Sequence, residues 1–174
     1  MADLKKLIRD VPGFPKKGIV FKDITPLLRD AKALKAAVNQ IAAHYKGQKI
    51  DAVLGVEARG FVLAPAVALK LGAGFIPARK PGKLPWKTTS ASYQLEYGTD
   101  ALEIHTDSVA PGQRILMVDD LLATGGTMSA CCKLVEQLGG QVVGCAFLIE
   151  LSFLNGRKSL PGRDVLSLIQ YDQP

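Results

Sequence analysis

The sequence predicts a single α/β domain with an open, mainly parallel, twisted sheet flanked by helices. Short apolar runs alternate with segments that have helical spacing of apolar residues, and charged or small residues separate them. Strands that alternate with helices favour a parallel sheet with right-handed crossovers. The 174 residues, 48% of them hydrophobic, suffice for one domain with a sizeable core. We therefore treat residues 1–174 as one domain.

The first half contains five predicted elements after a short initial helix, which the "PGFP" break at Pro12–Pro15 ends. Apolar residues at helical spacing predict a helix, and "DAVLGV" is typical of a buried strand. The next helix is apolar nearly all round despite Pro65, and "GFIPAR" predicts another strand. In chain order these elements are the helix Asp30–Tyr45, the strand Asp51–Val56, the loop Glu57–Gly60, the helix Phe61–Leu71 and the strand Gly74–Arg79.

The second half begins with an aperiodic stretch, Gly82–Tyr97, which predicts a long loop or hairpin. Alternation in Ala101–Thr106 predicts a half-exposed strand, and four apolar residues, Ile115–Val118, predict a buried one. A helical stripe then contains Met128, Cys131, Val135 and Leu138. "VVGCAFLIEL", Val142–Leu151, predicts the last buried strand.

Composition restricts the partners. The net charge of +6 favours a negatively charged ligand. The basic residues are spread along the chain without an arginine-rich arm or interleaved aromatic residues, so a small polyphosphate fits better than nucleic acid. No apolar run approaches a membrane span, and the N-terminus lacks the apolar core of a signal peptide. With three cysteines at no metal-ligand spacing, we expect a cytoplasmic protein without nucleic-acid or membrane partners.

Two loops, Glu57–Gly60 and Asp119–Thr127, are predicted at one edge of the sheet, because sites in parallel sheets lie beyond the carboxyl ends of the strands. In the second loop, Gly125 and Gly126 permit dihedral angles that let successive backbone N–H groups converge on an anion. The helix that begins near Thr127 adds its positive end, and Thr124 and Thr127 add hydroxyl donors. Neither a P-loop motif nor a dinucleotide fingerprint occurs. The loop therefore predicts a phosphate site.

Asp119 and Asp120 begin this loop and would repel a phosphate at close range. Carboxylates accept hydrogen bonds from hydroxyl groups, and a vicinal diol offers two. A diol beside a phosphate describes a ribose 5-phosphate. In the first loop, the planar guanidinium group of Arg59 can donate two hydrogen bonds to phosphate oxygens, and Gly60 lets the backbone approach the ligand closely.

The segment "ILMVDDLLATGGT", Ile115 to Thr127, resembles the phosphoribosyl diphosphate signature of the type I phosphoribosyltransferases. Four further segments are similar to the adenine-specific branch of that family: "PGFPKKGIVFKDITPLL", "GVEARGF", "RKPGKLP" and "SYQLEYG". The resemblance implies that adenine and phosphoribosyl diphosphate react to give AMP and pyrophosphate. It also implies Mg²⁺ held mainly by the diphosphate and water, a base-binding hood (residues 1–30) and a flexible lid (residues 82–98).

The resemblance also implies individual roles. The 5-phosphate would be bound by Ala123, Thr124, Gly125, Gly126 and Thr127, and the ribose hydroxyls by Asp119 and Asp120. The pyrophosphate would be bound by Glu57, Ala58, Arg59, Gly60, Arg79, Lys80 and Lys83, with a cis peptide at Glu57–Ala58. Adenine would contact Val20, Phe21, Lys22 and Leu151, where Lys22 replaces an arginine of many relatives. Glu96 would accept the proton of adenine with Tyr97 beside it, and Arg79 would reach into the neighbouring site of a homodimer.

Two alternatives remain open at this point. One is an enzyme of the same family that uses another base, such as hypoxanthine or orotate. The other is a non-catalytic regulator that senses a nucleotide and binds nucleic acid; the absence of a DNA-binding segment before Val11 and the presence of Arg59, Glu96 and the acid pair argue against it.

Overall fold

The computed structural model describes residues 4–95 and 98–173. Its strands are β1 (Arg9–Pro12), β2 (Val20–Asp23), β3 (Ala52–Val56), β4 (Gly74–Ala78), β5 (Thr88–Leu95), β6 (Gly98–His105), β7 (Arg114–Leu122), β8 (Gln141–Leu151) and β9 (Val165–Tyr171). Its α-helices are α1 (Thr25–Arg29), α2 (Ala31–His44), α3 (Gly60–Leu71) and α4 (Gly126–Gln137). Short 3₁₀ helices cover Leu4–Leu7, Ser152–Leu154 and Gly156–Ser159.

The central sheet has five parallel strands in the order β4-β3-β7-β8-β9. Helices lie on both faces, so the predicted open parallel α/β fold is confirmed. All five residues of β3 are buried, which explains why "AVLGV" is continuously apolar rather than alternating. No helix within the described part of the chain is long and apolar enough to cross a membrane.

The two faces of the sheet pack against different partners. On one face, Val53, Leu116 and Leu148 contribute to a core with residues of α1, α2 and α3. On the other face, Leu54 and Met117 pack with residues of α4 and of the β5–β6 hairpin. The alternation of side chains along each buried strand thus divides the apolar residues between two cores.

Local sequence signals account for the helix ends. The Asp30 side chain accepts hydrogen bonds from the amides of Lys32 and Ala33, both at 2.9 Å, and so caps the start of α2. At the end of α3, Gly72 adopts a left-handed conformation with φ 69°. Both helices match the predicted ones to within one or two residues.

Two antiparallel hairpins lie outside the central sheet. β1 and β2 form one within the predicted hood, and β5 and β6 form the other within and beyond the predicted lid. The aperiodic stretch from Gly82 is therefore partly a hairpin, and the predicted strand Ala101–Thr106 is its second arm. Backbone hydrogen bonds between Arg79 and Glu103 join the hairpin to the end of β4.

One predicted strand end needs correction, and the sequence did not predict β1, β2 or β9. β7 does not end before the acid pair: it includes Asp119 and Asp120 and continues to Leu122, since Leu121 and Leu122 pair with Ile149 and Glu150 of β8. β9 was not predicted. It forms the edge of the sheet beyond β8, so its residues are mostly only half-buried and its apolar pattern is weaker.

Candidate active site

A cavity of about 550 Å³ lies at the carboxyl ends of β3 and β7. Both predicted loops line it, which confirms that they share one edge of the sheet. Predicted site residues in its wall are Glu57, Ala58, Arg59, Lys80, Asp119, Asp120, Ala123, Thr124, Gly125 and Thr127. Gly126 lines an adjacent cavity of about 490 Å³ with Ser129, Lys133 and Ser159, among others.

The phosphate loop, residues 123–127, connects β7 to α4. Gly125 is the residue before the helix and has φ +82°, a conformation that side chains with a Cβ rarely adopt. Gly126 is already the first helical residue. The sequence did not distinguish the two glycines; the structure assigns the left-handed conformation to Gly125. The loop therefore continues into the positive end of a 12-residue helix, an arrangement that favours anion binding.

The acid pair is packed closely in the wall of the cavity. Asp119 Oδ1 accepts a hydrogen bond from the Asp120 amide at 2.8 Å. A Cβ on Gly60 would lie 2.8 Å from the same oxygen, so the glycine allows α3 to begin against this carboxylate. Asp120 is only 4% exposed, and its Oδ2 lies 2.9 Å from Arg59 Nε. These two atoms form an ion pair, but no described residue donates a hydrogen bond to this oxygen.

Both carboxyl groups favour their neutral forms more than free aspartate does. Desolvation raises the pKa of Asp119 well above its ordinary value, and the charge of Asp120 adds to this effect. Desolvation also raises the pKa of Asp120, although Arg59 opposes the shift. Two adjacent acids with raised pKa values in one cavity are typical of a functional site.

The first loop has the predicted cis peptide between Glu57 and Ala58. The Glu57 carboxylate accepts hydrogen bonds from Arg79 Nη2 at 3.0 Å and from the Lys80 amide at 2.5 Å. Burial raises the pKa of Glu57, but these donors outweigh it and leave the pKa below its usual value. Arg79 Nη1 also donates to the Lys83 carbonyl at 3.3 Å. Arg79 thus pairs with a carboxylate of its own chain; neither Arg79 nor Lys83 lines the cavity.

Arg59 connects this loop to the hood. Its guanidinium carbon lies 4.8 Å from the centre of the Phe21 ring, and Phe14 packs edge-on against the same ring at 5.1 Å. The side chain of Arg59 therefore touches both Asp120 and the aromatic residue predicted to contact adenine. Val20, Phe21 and Leu151 themselves do not line the cavity.

Lys22 lies away from the cavity. Its side chain is only 4% exposed, and Nζ binds Asp10 Oδ1 at 2.9 Å. The same nitrogen lies 4.3 Å from the centre of the Tyr171 ring. The structure thus gives Lys22 partners that join the hood to β9, and the predicted contact with adenine has no support in its position.

Sequence reasoning missed a polar group on the hairpin side of the cavity. Lys80 Nζ binds Asp100 Oδ2 at 2.9 Å, and the Tyr93 hydroxyl lies 3.4 Å from that oxygen. All three residues line the cavity. Only hairpin pairing, which places Tyr93 opposite Asp100, could have indicated this contact. Glu96 and Tyr97, predicted as the proton acceptor and its neighbour, lie outside the described residues.

A family model described as the phosphoribosyl transferase domain matches residues 25–165. The chain therefore belongs to the phosphoribosyltransferases. A relative from Geobacter metallireducens named adenine phosphoribosyltransferase is 60% identical over 171 residues, which span 98% of this chain and 100% of the relative. Within the family, the chain belongs to the adenine phosphoribosyltransferases.

Solved structures agree with this assignment. The adenine phosphoribosyltransferase of Thermoanaerobacter pseudethanolicus has a TM-score of 0.94 and 56% identity, covering 97% of this chain and 98% of its own. The Saccharomyces cerevisiae enzyme, solved with adenine and an imino-altritol bisphosphate, has a TM-score of 0.91 and 39% identity over 95% of this chain and 96% of its own. The predicted family is thus confirmed.

Proposed function

We propose that this chain catalyses purine salvage by converting adenine and 5-phospho-α-D-ribose 1-diphosphate to AMP and pyrophosphate. The observation that carries the proposal is the single cavity that collects the phosphate loop, the acid pair and the loop with Arg59. Family membership supports the same reaction. An anion site, two hydroxyl acceptors and a cationic loop match the phosphate, diol and diphosphate of that sugar.

The phosphate loop, Ala123 to Thr127, binds the 5-phosphate through backbone N–H groups and the hydroxyls of Thr124 and Thr127. Asp119 and Asp120 accept hydrogen bonds from the ribose hydroxyls. They orient the sugar and do not act as nucleophiles. Their positions near the end of β7 support this role, because the phosphate loop begins directly after Leu122.

The diphosphate is bound by Glu57, Ala58, Arg59 and Gly60, with Arg79, Lys80 and Lys83. Arg59 and Lys80 line the cavity, where their cationic groups can exchange carboxylate partners for diphosphate oxygens. Backbone amides of the first loop add neutral donors.

Mg²⁺ would be held mainly by the sugar diphosphate and water. Within residues 4–95 and 98–173, no group of three His, Cys, Asp or Glu residues could hold a metal. Mg²⁺ commonly uses one or two carboxylates, substrate phosphates and water. Asp119 and Asp120 fit this donor set, since Asp120 Oδ2 accepts no hydrogen bond from a described residue. The bound ion would supply positive charge that stabilises the departing diphosphate.

Adenine binds under the hood, with its edge at the Val20 backbone and its ring against Phe21 and Leu151. During transfer, the bond from the anomeric carbon to the diphosphate oxygen breaks and the bond to the imidazole nitrogen of adenine forms. That nitrogen loses its proton to Glu96, directly or through water. The lid, with Tyr97, excludes water from the oxocarbenium-like transition state.

The active form is a homodimer in the cytoplasm, with neither nucleic acid nor membrane as partner. Support for the dimer comes from apolar surface near β4, which is an edge strand of the sheet. Phe75 of β4 and Val62 and Leu69 of α3 are 37%, 42% and 83% exposed. Val62 and Leu69 are seven residues apart and so lie on one face of α3, and an exposed apolar face is a candidate interface between subunits.

The direct test measures AMP formation from adenine and phosphoribosyl diphosphate with Mg²⁺. Hypoxanthine and orotate serve as competing bases. We expect turnover with adenine and little with the other two. Turnover of another base in preference to adenine, or nucleic-acid binding without any turnover, would contradict the proposal.

A further inference from the structure

The segment 155–160, which follows β8, packs against the outer side of the phosphate loop. We call it the brace. It begins at Asn155, whose φ of 55° turns the chain, and contains the 3₁₀ helix Gly156–Ser159. Ser159 Oγ donates a hydrogen bond to the Thr124 carbonyl at 2.8 Å. The brace thus contacts the predicted phosphate site although 35 residues separate the bonded pair.

Two glycines bring the backbones of the brace and the phosphate loop together. A Cβ on Gly125 would collide with the Gly156 carbonyl oxygen and lie 2.9 Å from Ser159 Cβ. A Cβ on Gly156 would collide with the Ala123 carbonyl oxygen and lie 2.9 Å from a methyl carbon of Leu122. Each backbone therefore occupies the space where the other would place a side chain.

The brace is anchored to the central sheet by an ion pair. Arg157 Nε and Nη2 donate to the two carboxylate oxygens of Glu150 at 2.8 and 2.7 Å. Its third donor, Nη1, binds the Val165 carbonyl at 3.0 Å. Glu150 lies on β8 and is only 3% exposed. The hydrogen bond from Arg157, against the opposing effect of burial, keeps the pKa of Glu150 below its usual value.

These contacts determine which way the phosphate loop presents its amides. In a trans peptide unit, the carbonyl oxygen and the amide hydrogen point in opposite directions. The only cis bonds among the described residues are Phe14–Pro15 and Glu57–Ala58, so the loop is trans. The Thr124 carbonyl accepts a hydrogen bond from the brace, and the Ala123 carbonyl oxygen faces Gly156 of the brace. The N–H groups of Thr124 and Gly125 must then point away from the brace, and both residues line the cavity.

From this geometry we propose that the brace positions the phosphate loop for ligands that carry a ribose 5-phosphate, with Ser159 and Arg157 as its positioning residues. Neither side chain needs to touch the ligand. Ser159 holds the Thr124–Gly125 peptide directly, and Arg157 holds the brace on β8. The inference deepens the proposed function and rests on the phosphate loop assigned there.

Ser159 supplies the sharper test. Ser159→Ala removes the hydrogen bond to Thr124, and Ser159→Thr retains a hydroxyl. A neutral hydrogen bond corresponds to about a 3- to 10-fold change in an equilibrium constant. We expect Ser159→Ala to weaken binding of ribose 5-phosphate and AMP by about that factor, measured by calorimetry. Adenosine, which lacks the phosphate, should bind as before, and Ser159→Thr should recover most of the loss.

Arg157→Gln extends the test, with Arg163→Gln as its matched control. Arg163 pairs with Glu136 at 2.8 Å in the same part of the chain, away from the phosphate loop. Both variants lose an ion pair, so thermal unfolding reports the structural effect of each. Only Arg157→Gln should weaken ribose 5-phosphate binding. Equal weakening in both variants would assign the effect to general destabilisation and overturn the proposal.

Two further outcomes separate this proposal from the function on which it rests. Wild-type affinity of folded Ser159→Ala for ribose 5-phosphate would overturn the brace while leaving the enzyme assignment intact. Failure of the wild-type chain to form AMP, with normal ribose 5-phosphate binding that Ser159→Ala weakens, would overturn the reaction and support the brace.

Discussion

We expect Asp119 to reduce the stability of the folded protein, although the proposed function uses its carboxylate to bind the ribose. Desolvation by the surrounding protein, followed by the charge of Asp120, raises its pKa well above the ordinary value of 3.8. The Asp120 amide, at 2.8 Å, only partly offsets this. Asp119→Asn keeps the size of the side chain and an oxygen that can accept the same amide hydrogen bond. The substitution therefore removes the charge with little change in packing.

The direction of the effect follows from proton binding. Because the pKa of Asp119 is raised on folding, the folded state holds its proton more tightly than the unfolded state does. The stability that the neutral carboxyl contributes is complete below the unfolded pKa and is lost as the pH rises through the folded pKa. Asparagine does not ionise, so the variant does not lose this stability as the pH rises. The variant should thus gain free energy of unfolding relative to the parent as the pH rises, by at most about 1.4 kcal/mol per pH unit for one proton.

The effect on activity should be opposite. A hydrogen bond to a charged acceptor contributes about 1.5–3 kcal/mol, so loss of the carboxylate should lower kcat/KM by about 10- to 150-fold. Urea unfolding of parent and variant, from about pH 5 to about pH 8, measures the stability change. Initial rates of AMP formation measure the fall in kcat/KM.

Asp51→Asn is the matched control, since the Arg114 amide lowers the pKa of Asp51. A carboxyl with a lowered pKa contributes stability above its unfolded pKa. This variant should lose stability by an amount that is nearly constant over the same range. If Asp119→Asn were no more stable than the parent at the alkaline end, or if its advantage did not grow with pH, desolvation of Asp119 would not be the controlling effect.

Three further predictions concern the site. Gly125→Ala should abolish most AMP binding in a folded protein, because φ is +82° and the new methyl group would meet the brace; calorimetry with an unchanged AMP affinity would contradict this. Glu96→Gln should slow single-turnover AMP formation by ~10²–10⁴-fold with adenine affinity little changed, whereas a wild-type chemical rate would make Glu96 a solvated lid residue. Mixing Arg79→Ala subunits with Asp120→Asn subunits should restore one working site per mixed dimer, and mixed samples no more active than either parent would indicate sites built within one chain.

The parts of the fold that sequence predicted correctly have strong local signals. β3 is apolar along its whole length and α3 is apolar except for Lys70, and Asp30 caps α2 by contacts only two and three residues away. β1 and β2 have four residues each and a partly polar pattern, which is too short for periodicity to assign. The far end of β7 depends on pairing with β8, a non-local contact that overrides the charges of Asp119 and Asp120.

In the candidate site, too, features with a local sequence pattern were predicted and non-local contacts were missed. The acid pair and the loop after it were recognisable because one short segment carries them all. The brace was not, since Ser159 reaches Thr124 through the fold and "GRKS" has no motif of its own. The partner of Lys22 was also hidden: Tyr171 lies on a strand that the sequence did not reveal. Residues that position a site from a distance leave little local pattern.

The charge of the chain also needs a different interpretation from the one that composition suggests. Among the residues that the structure describes, the cavity wall has four carboxylates and only two cationic side chains: Glu57, Asp100, Asp119, Asp120, Arg59 and Lys80. The excess of positive charge, +6 over the chain, therefore does not lie in this wall.

In the proposed function, the 5-phosphate is bound in this wall mainly by groups that carry no net charge. The amides of the phosphate loop and the positive end of α4 supply fixed partial charges and cannot be neutralised by a neighbouring carboxylate. Their effect depends on orientation, because an N–H group that turns away contributes nothing. An acidic wall that binds the 5-phosphate as proposed would therefore need a rigid loop, and the close contact between the phosphate loop and the brace would supply that rigidity. The same excess of carboxylates is consistent with the proposal that the substrate binds with Mg²⁺, because the ion would offset their repulsion of the diphosphate.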